Sequence, residues 1–215
     1  MHNKYPNIIK ISPTNPEKQI IEKAGKMINQ KGLIIFPAQY FYGIAVNALD
    51  ANAIQKVFKF KKRLMQNPLL ALIKNKAQLE TLVDSIPDIA EKLIEKYWPG
   101  NITIIFKASK HVPECLISKT GKIGLRIPWH PVAKALVNAA DSPITGTSAN
   151  ISGKPGCNTI DMIDRSIIKN SEMVLDAGKL KPGLGSTVVD VTDNSIKIVR
   201  QGQISQPDLA KPINN

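Results

Sequence analysis

The stretch TVVDVTDNSIKIV, residues 187–199, sets two β-branched runs, Thr187–Val191 and Ile196–Val199, on either side of Thr192-Asp193-Asn194-Ser195. Apolar runs around such a polar turn read as an antiparallel hairpin. Working outward, strands and helices alternate upstream, but not strictly. A hairpin at the end of such an order argues against a purely parallel doubly wound sheet. The expectation is an α/β chain with α+β character: one twisted sheet of mixed parallel and antiparallel strands, flanked by helices.

The other elements follow from periodicity and punctuation. Asn15 is placed to cap a first helix, Pro16 suits its first position, and Ile20, Ile21, Ala24, Met27 and Ile28 share a face before Gly32 ends it. Leu33–Phe36 reads as a buried strand and Pro37–Gly43 as a loop. A helix begun by Asp50 turns Ile54, Val57 and Phe58 inward and carries Lys61-Lys62-Arg63 at its C-terminal end. Leu69–Ile73, Ile102–Phe106, Ile123–Ile127 and Pro143–Thr147 read as strands, Pro87–Tyr97 and Pro131–Ala140 as helices. The loops Ser148–Asn158 and Ala177–Gly185 are rich in Gly, Pro, Ser and Lys, and polar loops at strand ends are where sites lie. With no repeat or low-complexity linker, 215 residues are expected to form a single domain, 1–215, with a core of about 8–203 and a tail, 204–215, that frays.

Composition is ordinary, 43% hydrophobic and 21% charged, which speaks against bulk disorder. The charge is not: 29 Lys and Arg against 17 Asp and Glu give +12 and a pI near 9.7. Such a field attracts nucleotides, nucleic acids or anionic membranes without choosing among them, and solvated lysines that serve solubility are an equally ordinary reading. Cys115 and Cys157 make neither a CxxC nor a zinc spacing, so reduced thiols are expected. MHNKYPNIIKI lacks the apolar stretch of a signal peptide, and no apolar run reaches the roughly 18 residues of a membrane span. The expectation is a cytoplasmic protein with no membrane partner.

The chemistry-bearing residues are dispersed: Lys61-Lys62-Arg63, Ser148-Ala149-Asn150, Gly185-Ser186-Thr187 and Arg200. Fixed positive charge, small hydroxyls and closely approachable backbone are what a polyphosphate site needs. Taken singly, each has a plain alternative. Cations at a helix C-terminus complement its dipole, and Ser148 and Asn150 are turn formers. Trp98 and Trp129 read as packing residues, and His111 and His130 lack a triad-like partner.

Together these segments resemble the YrdC-type family of threonylcarbamoyl-AMP synthases, whose hallmark is a paired KxR and SxN, here Lys61-Lys62-Arg63 and Ser148-Ala149-Asn150. The resemblance extends through Phe36-Pro37 with Tyr42-Gly43, Trp98-Pro99-Gly100 followed by Ile102-Thr103, Leu125-Arg126-Ile127-Pro128 with His130-Pro131, Ser186–Asp190 and Val199-Arg200-Gln201-Gly202. It implies a YrdC-like fold with a basic cavity, and formation of threonylcarbamoyl-AMP and pyrophosphate from L-threonine, bicarbonate and ATP. The product would serve modification of adenosine 37 in tRNA through the threonylcarbamoyl-transferase machinery. On this reading Lys61, Arg63, Ser148 and Asn150 are catalytic and bind nucleotide, joined there by Ser186, Thr187 and Arg200. Tyr40, Tyr42, Arg126 and Ser186 bind the amine substrate. Mg²⁺ accompanies ATP, held by phosphates rather than by a protein cluster. The chain would be a short form, ending soon after Arg200.

One region departs from the family pattern. Where members read Pro-Thr-Asp-Thr-x-Tyr-Gly-Leu, this chain reads Pro37-Ala38-Gln39-Tyr40-Phe41-Tyr42-Gly43-Ile44. A Pro after KxR is Leu64, a Lys before Pro-Leu is Asn67, and a His is replaced by an aliphatic residue, read as Leu72. These segments border the amino-acid pocket in the family, so nucleotide binding is better supported than threonine binding, unless Gln39 and Tyr40 supply the missing donors. A YciO-like paralogue with another substrate and a non-catalytic double-stranded RNA-binding protein are the alternatives. A hydrogenase-maturation role lacks its zinc-finger cysteines and acylphosphatase segment.

Overall fold

The computed structural model describes residues 6–65 and 67–210. In chain order the elements are β1 (Ile8–Lys10), α1 (Lys18–Asn29), β2 (Ile34–Pro37), β3 (Tyr42–Ala45), α2 (Ala51–Lys61), β4 (Ala71–Leu72), α3 (Lys76–Leu82) and α4 (Asp88–Tyr97). Then come β5 (Ile102–Lys107), β6 (Lys122–Arg126), α5 (Pro131–Ala139), β7 (Ile144–Thr145), β8 (Thr147–Ser148), α6 (Arg165–Lys169), β9 (Met173–Asp176), β10 (Thr187–Asp190), β11 (Lys197–Arg200) and α7 (Gln206–Ala210). The strands are mixed, as the sequence suggests, but divide between two sheets. One has the order β1-β9-β2-β3-β8, the other β11-β10-β5-β6-β4-β7.

The C-terminal hairpin is present, β10 antiparallel to β11 with a bulge between Val188 and Val189. Asn194 takes a left-handed φ of 53°, and the Asp190 carboxylate accepts from Thr192 N and Oγ1. That local bonding makes the turn, as the polar tetrapeptide suggests. On its other side β10 runs parallel to β5, which pairs antiparallel with β6.

Three expectations change. Helix α1 begins at Lys18 behind Glu17, because the Ser12 hydroxyl accepts from Asn15 N and spends Asn15 and Pro16 in a preceding turn. The segment expected to be a loop, Pro37–Gly43, is a hairpin: β2 pairs antiparallel with β3, and Ala38 N donates to Phe41 O across the turn. Neither Asn-Gly nor Asp-Gly marks it, so no sequence signal announced it. The tail is docked as far as it is described. Leu209 is buried in the main core, and Tyr97 Oη donates to Asp208 O at 2.8 Å. Pro212, part of the fraying expectation, lies outside the described residues.

Two apolar cores result. The larger joins inner-face residues of both sheets with α2, α3, α4 and α6, and the smaller packs α1 and α5 on the other face of the five-stranded sheet around Ile28, Phe36 and Leu136. Burying each such Ile, Leu or Phe contributes about 1.5–3 kcal/mol. No helix among the described residues is long and apolar enough to cross a membrane. Leu209→Ala is expected to lower the unfolding free energy by about 2 kcal/mol or more in a urea titration. A fraying tail would leave the midpoint unmoved.

Candidate functional site

Along β5, β6 and β10, every second residue faces one cavity of about 840 Å³: Thr103 and Ile105, then Lys122, Gly124 and Arg126, then Val188 and Asp190. Strand alternation gives this face without special devices. Opposite it stand the β2–β3 turn from Ala38 to Gly43, Arg63 from the end of α2, and Gly146–Ser148 with Asn150. The size suits a nucleotide-scale ligand.

The spacing of Lys61 and Arg63 has a local cause. Lys62 ends α2 in a left-handed conformation, φ 49° and ψ 41°, so the residues on either side of it diverge. Lys61 goes inward, 1% exposed, and does not line the cavity. Its Nζ donates to Ser148 O, to Asn150 O at 2.7 Å and to Asn150 Oδ1 at 3.4 Å. Arg63 turns to the cavity, with Nε on Asn67 O at 2.7 Å and Nη2 on Pro68 O at 3.1 Å. The two signature segments are thus one unit: Lys61 fastens the Ser148–Asn150 backbone from behind, Ser148 Oγ donates to Asn150 Oδ1, and Ala149 N donates to Tyr42 O.

Arg126 is 8% exposed at the end of β6, its Nε on Gly100 O at 2.6 Å and Nη2 on Asn101 Oδ1 at 3.0 Å. Arg200 on β11 donates from Nη2 to Ser186 O and Oγ, and Ser186 Oγ shares a hydrogen bond with Thr103 Oγ1 at 2.8 Å. None of the ion pairs among the described residues involves Arg63, Arg126 or Arg200. The one carboxylate in the lining, Asp190, is held by Lys122 at 2.7 Å. Burial lowers all three guanidinium pKa values. The Arg200 charge adds to the effect at Arg63 and Arg126, and Arg126 falls to about 10. At neutral pH all three stay charged, and the cavity is a concentrated, uncompensated positive field.

Several residues singled out from sequence therefore take other places. Thr187 is fully buried, and its hydroxyl donates to Ile204 O and accepts from Gly202 N and Ile204 N, fixing the loop beyond Arg200 rather than facing a ligand. Tyr42 lies in the cavity lining but is fully buried, and its hydroxyl donates to Gly178 O at 2.7 Å and accepts from Ala177 N. Burial and the neighbouring Asp176 raise its pKa. Leu70 rather than Leu72 reaches the cavity, since Leu72 is buried in the smaller core. Arg63, Ser148, Asn150, Ser186, Arg200, Arg126 and Tyr40 line this one cavity. Asn101, which holds Arg126, escaped sequence reading, although it follows Trp98-Pro99-Gly100 directly. Lys122 and Lys154 also line the cavity. Among the described residues there is no group of three His, Cys, Asp or Glu that could hold a metal ion.

A profile of the Sua5, YciO and YrdC proteins, described as telomere recombination, matches residues 26–202. The chain is similar to a putative threonylcarbamoyl-AMP synthase of Methanocaldococcus jannaschii, 36% identical over 95% of this chain and 97% of that one. It is 34% identical to the threonylcarbamoyl-AMP synthase of Pyrococcus abyssi over 92% of its own length, spanning 58% of that relative. Among solved structures, P. abyssi Sua5 complexed with L-threonine superposes with a TM-score of 0.87 at 32% identity, over 95% of this chain and 60% of that chain. Escherichia coli YciO superposes with a TM-score of 0.79 at 27% identity, over 91% and 95%.

Burial lowers the Lys61 pKa to about 8 in the folded protein, the Arg63 charge adding to the effect, against about 10.5 when unfolded. Between those values the unfolded chain binds the proton that the folded chain releases, so stability rises with pH. Urea midpoints of the wild type are expected to climb between pH 8 and 9.5 relative to Lys61→Met. Parallel pH profiles would mean that Lys61 is not desolvated.

Proposed function

The chain belongs to the Sua5/YciO/YrdC family, and on that footing we propose that it is a nucleotidyltransferase that makes an N-carbamoyl adenylate from an amino acid, bicarbonate and MgATP. This is the reaction of a threonylcarbamoyl-AMP synthase. The observation that carries the reading is the set of three guanidiniums around one cavity without a carboxylate partner. Burying uncompensated charge is costly, and a bound triphosphate and carboxylate are the anions that offset it.

In the proposed sequence, amine and bicarbonate condense with loss of water to a carbamate. A carbamate oxygen then attacks the α-phosphorus as its bond to the bridging oxygen breaks, and pyrophosphate leaves with the electron pair. The work is alignment and charge neutralisation rather than nucleophilic catalysis by a side chain. Arg63 and Arg200 hold the triphosphate, and the Ser186 and Ser148 hydroxyls and Asn150 position nucleotide and carbamate. Lys61 acts through Ser148 and Asn150, holding their backbone and adding its charge from behind. Mg²⁺ enters with ATP on phosphate and water oxygens.

The altered Pro37–Gly43 segment favours a second reading, the same chemistry on an amine other than threonine, because Ala38, Gln39, Tyr40 and Phe41 all line the cavity. The double-stranded RNA reading draws no support from cations set inside a pocket, where duplex phosphates do not reach. Delivery of the adenylate to a tRNA-modifying transferase in the cytoplasm goes with the first reading.

The test is pyrophosphate release from MgATP with bicarbonate and L-threonine or other amino acids, with mass spectrometry of the adenylate. Release that requires both bicarbonate and an amino acid is expected. Release with neither requirement, or none at all, contradicts the proposal. Arg63→Ala and Arg200→Ala are each expected to weaken MgATP binding about ten- to hundredfold in calorimetric titration, with circular dichroism unchanged.

A further inference from the structure

The hydrogen bonds around Arg126 fix what can lie beside it. Asn101 Oδ1 accepts from Arg126 Nη2 at 3.0 Å, while Asn101 Nδ2 donates to the Tyr40 hydroxyl at 3.2 Å. The reverse amide orientation would set two donors face to face, so the network assigns it. The Asn101 carbonyl in turn accepts from Thr187 N at 3.0 Å, which anchors the relay to β10. Tyr40 has its oxygen occupied by a donor, so its own proton is left for a ligand. Arg126 keeps N–H groups beyond the two it uses. A group bound between them must be an acceptor, and a carboxylate fits both.

Tyr40 is held in place. A Cβ on Gly183 would stand 2.4 Å from the Tyr40 ring, and one on Gly156 would stand 2.7 Å from the ring of Phe41. Both loops press against the two aromatic rings through bare backbone. The wall next to Arg126 is apolar. Leu72 pairs with Arg126 across β4 and β6, and Leu70, two residues back on the same face, lies about 6.6 Å along the strand. Leu70 packs on Gly146, and Ala38 stands in the opposite turn. Of the hydroxyls lining the cavity, Thr103 and Ser186 are bonded to each other, Ser186 also accepts from Arg200, and Ser118 is bonded to Thr120, while Thr147 follows Gly146 in the same lining. Gln39 Oε1 is buried without a partner and is an acceptor suited to the amine N–H.

We propose that the amine consumed here is an α-amino acid with a branched apolar side chain, of the valine class, its carboxylate held by Arg126 and the Tyr40 hydroxyl and its side chain set against Leu70, Ala38 and Gly146. The inference rests on the adenylate-forming reading and names the substrate class of that same site. Valine and threonine differ by a methyl in place of a hydroxyl, so they test the wall and little else. An apolar pocket discriminates against the added hydroxyl by about ten- to hundredfold.

The experiment compares kcat/KM for L-valine and L-threonine in the pyrophosphate assay, with isobutylamine as valine without its carboxylate and with calorimetric titration of MgATP alongside. Valine is expected to exceed threonine at least tenfold, and isobutylamine to be inactive. Tyr40→Phe, which keeps the ring on Gly183, should raise KM for valine about tenfold and leave KM for MgATP unchanged. Threonine equal to or better than valine overturns the inference while leaving the adenylate-forming reading standing. An unaltered valine KM in Tyr40→Phe removes Tyr40 from recognition. MgATP binding without release for any amino acid overturns the reading beneath both.

Discussion

Arg63, Arg126 and Arg200 converge on one cavity with carbonyl oxygens, an amide and a hydroxyl as their partners, and the surrounding architecture follows from holding them there. Burial first, and the Arg200 charge in addition, lower the pKa values of Arg63 and Arg126. Each of the three comes from a separate element, α2, β6 or β11, and each is fixed by backbone acceptors that give direction without cancelling charge. A carboxylate beside any of them would stabilise the free protein and cancel the positive field on which the proposed function rests. Retaining unpaired cations at a cost in stability is what a site that binds polyanions requires.

Lys61 shows a division of labour within one signature. A helix end that turns left-handed at Lys62 sends one cation inward and the next into the cavity, so a three-residue motif serves two functions. The inward cation has three oxygen acceptors from the Ser148–Asn150 segment and tolerates burial through them. Without it the Asn150 carbonyl would lose its donor, Ser148 O would keep only Asn150 N and the amide oxygen only Ser148 Oγ, and the segment lining the cavity would lose its mooring.

Much of the frame was legible in the sequence because its signals are local. The apolar period of α4 and α5, the Asp50 cap of α2 and the Asp190–Asn194 turn each depend on residues within a few positions of one another. Strand β9 was not legible, since Met173–Asp176 is four residues long and gains its place by parallel pairing with β1 and β2, far apart in sequence. The division into two sheets is likewise a matter of long-range pairing. In the site, residue types pointed to Arg63, Arg200, Ser148 and Ser186, and the family resemblance added Arg126. Which face each hydroxyl takes was not written locally: Thr187 and Tyr42 carry plausible chemistry that backbone partners from other segments consume. Asn101 was hidden for the converse reason, as its importance lies entirely in what it touches.

On the proposed function this cavity receives the triphosphate. The most direct measurement is a crystal structure of the full chain with Mg²⁺ and a non-hydrolysable ATP analogue. Phosphate oxygens are expected within hydrogen-bonding distance of Arg63 and Arg200, beside Ser148 and Ser186, with Lys61 still bound to the Ser148 and Asn150 carbonyls. A nucleotide bound elsewhere on the surface, with the three guanidiniums untouched, would contradict it.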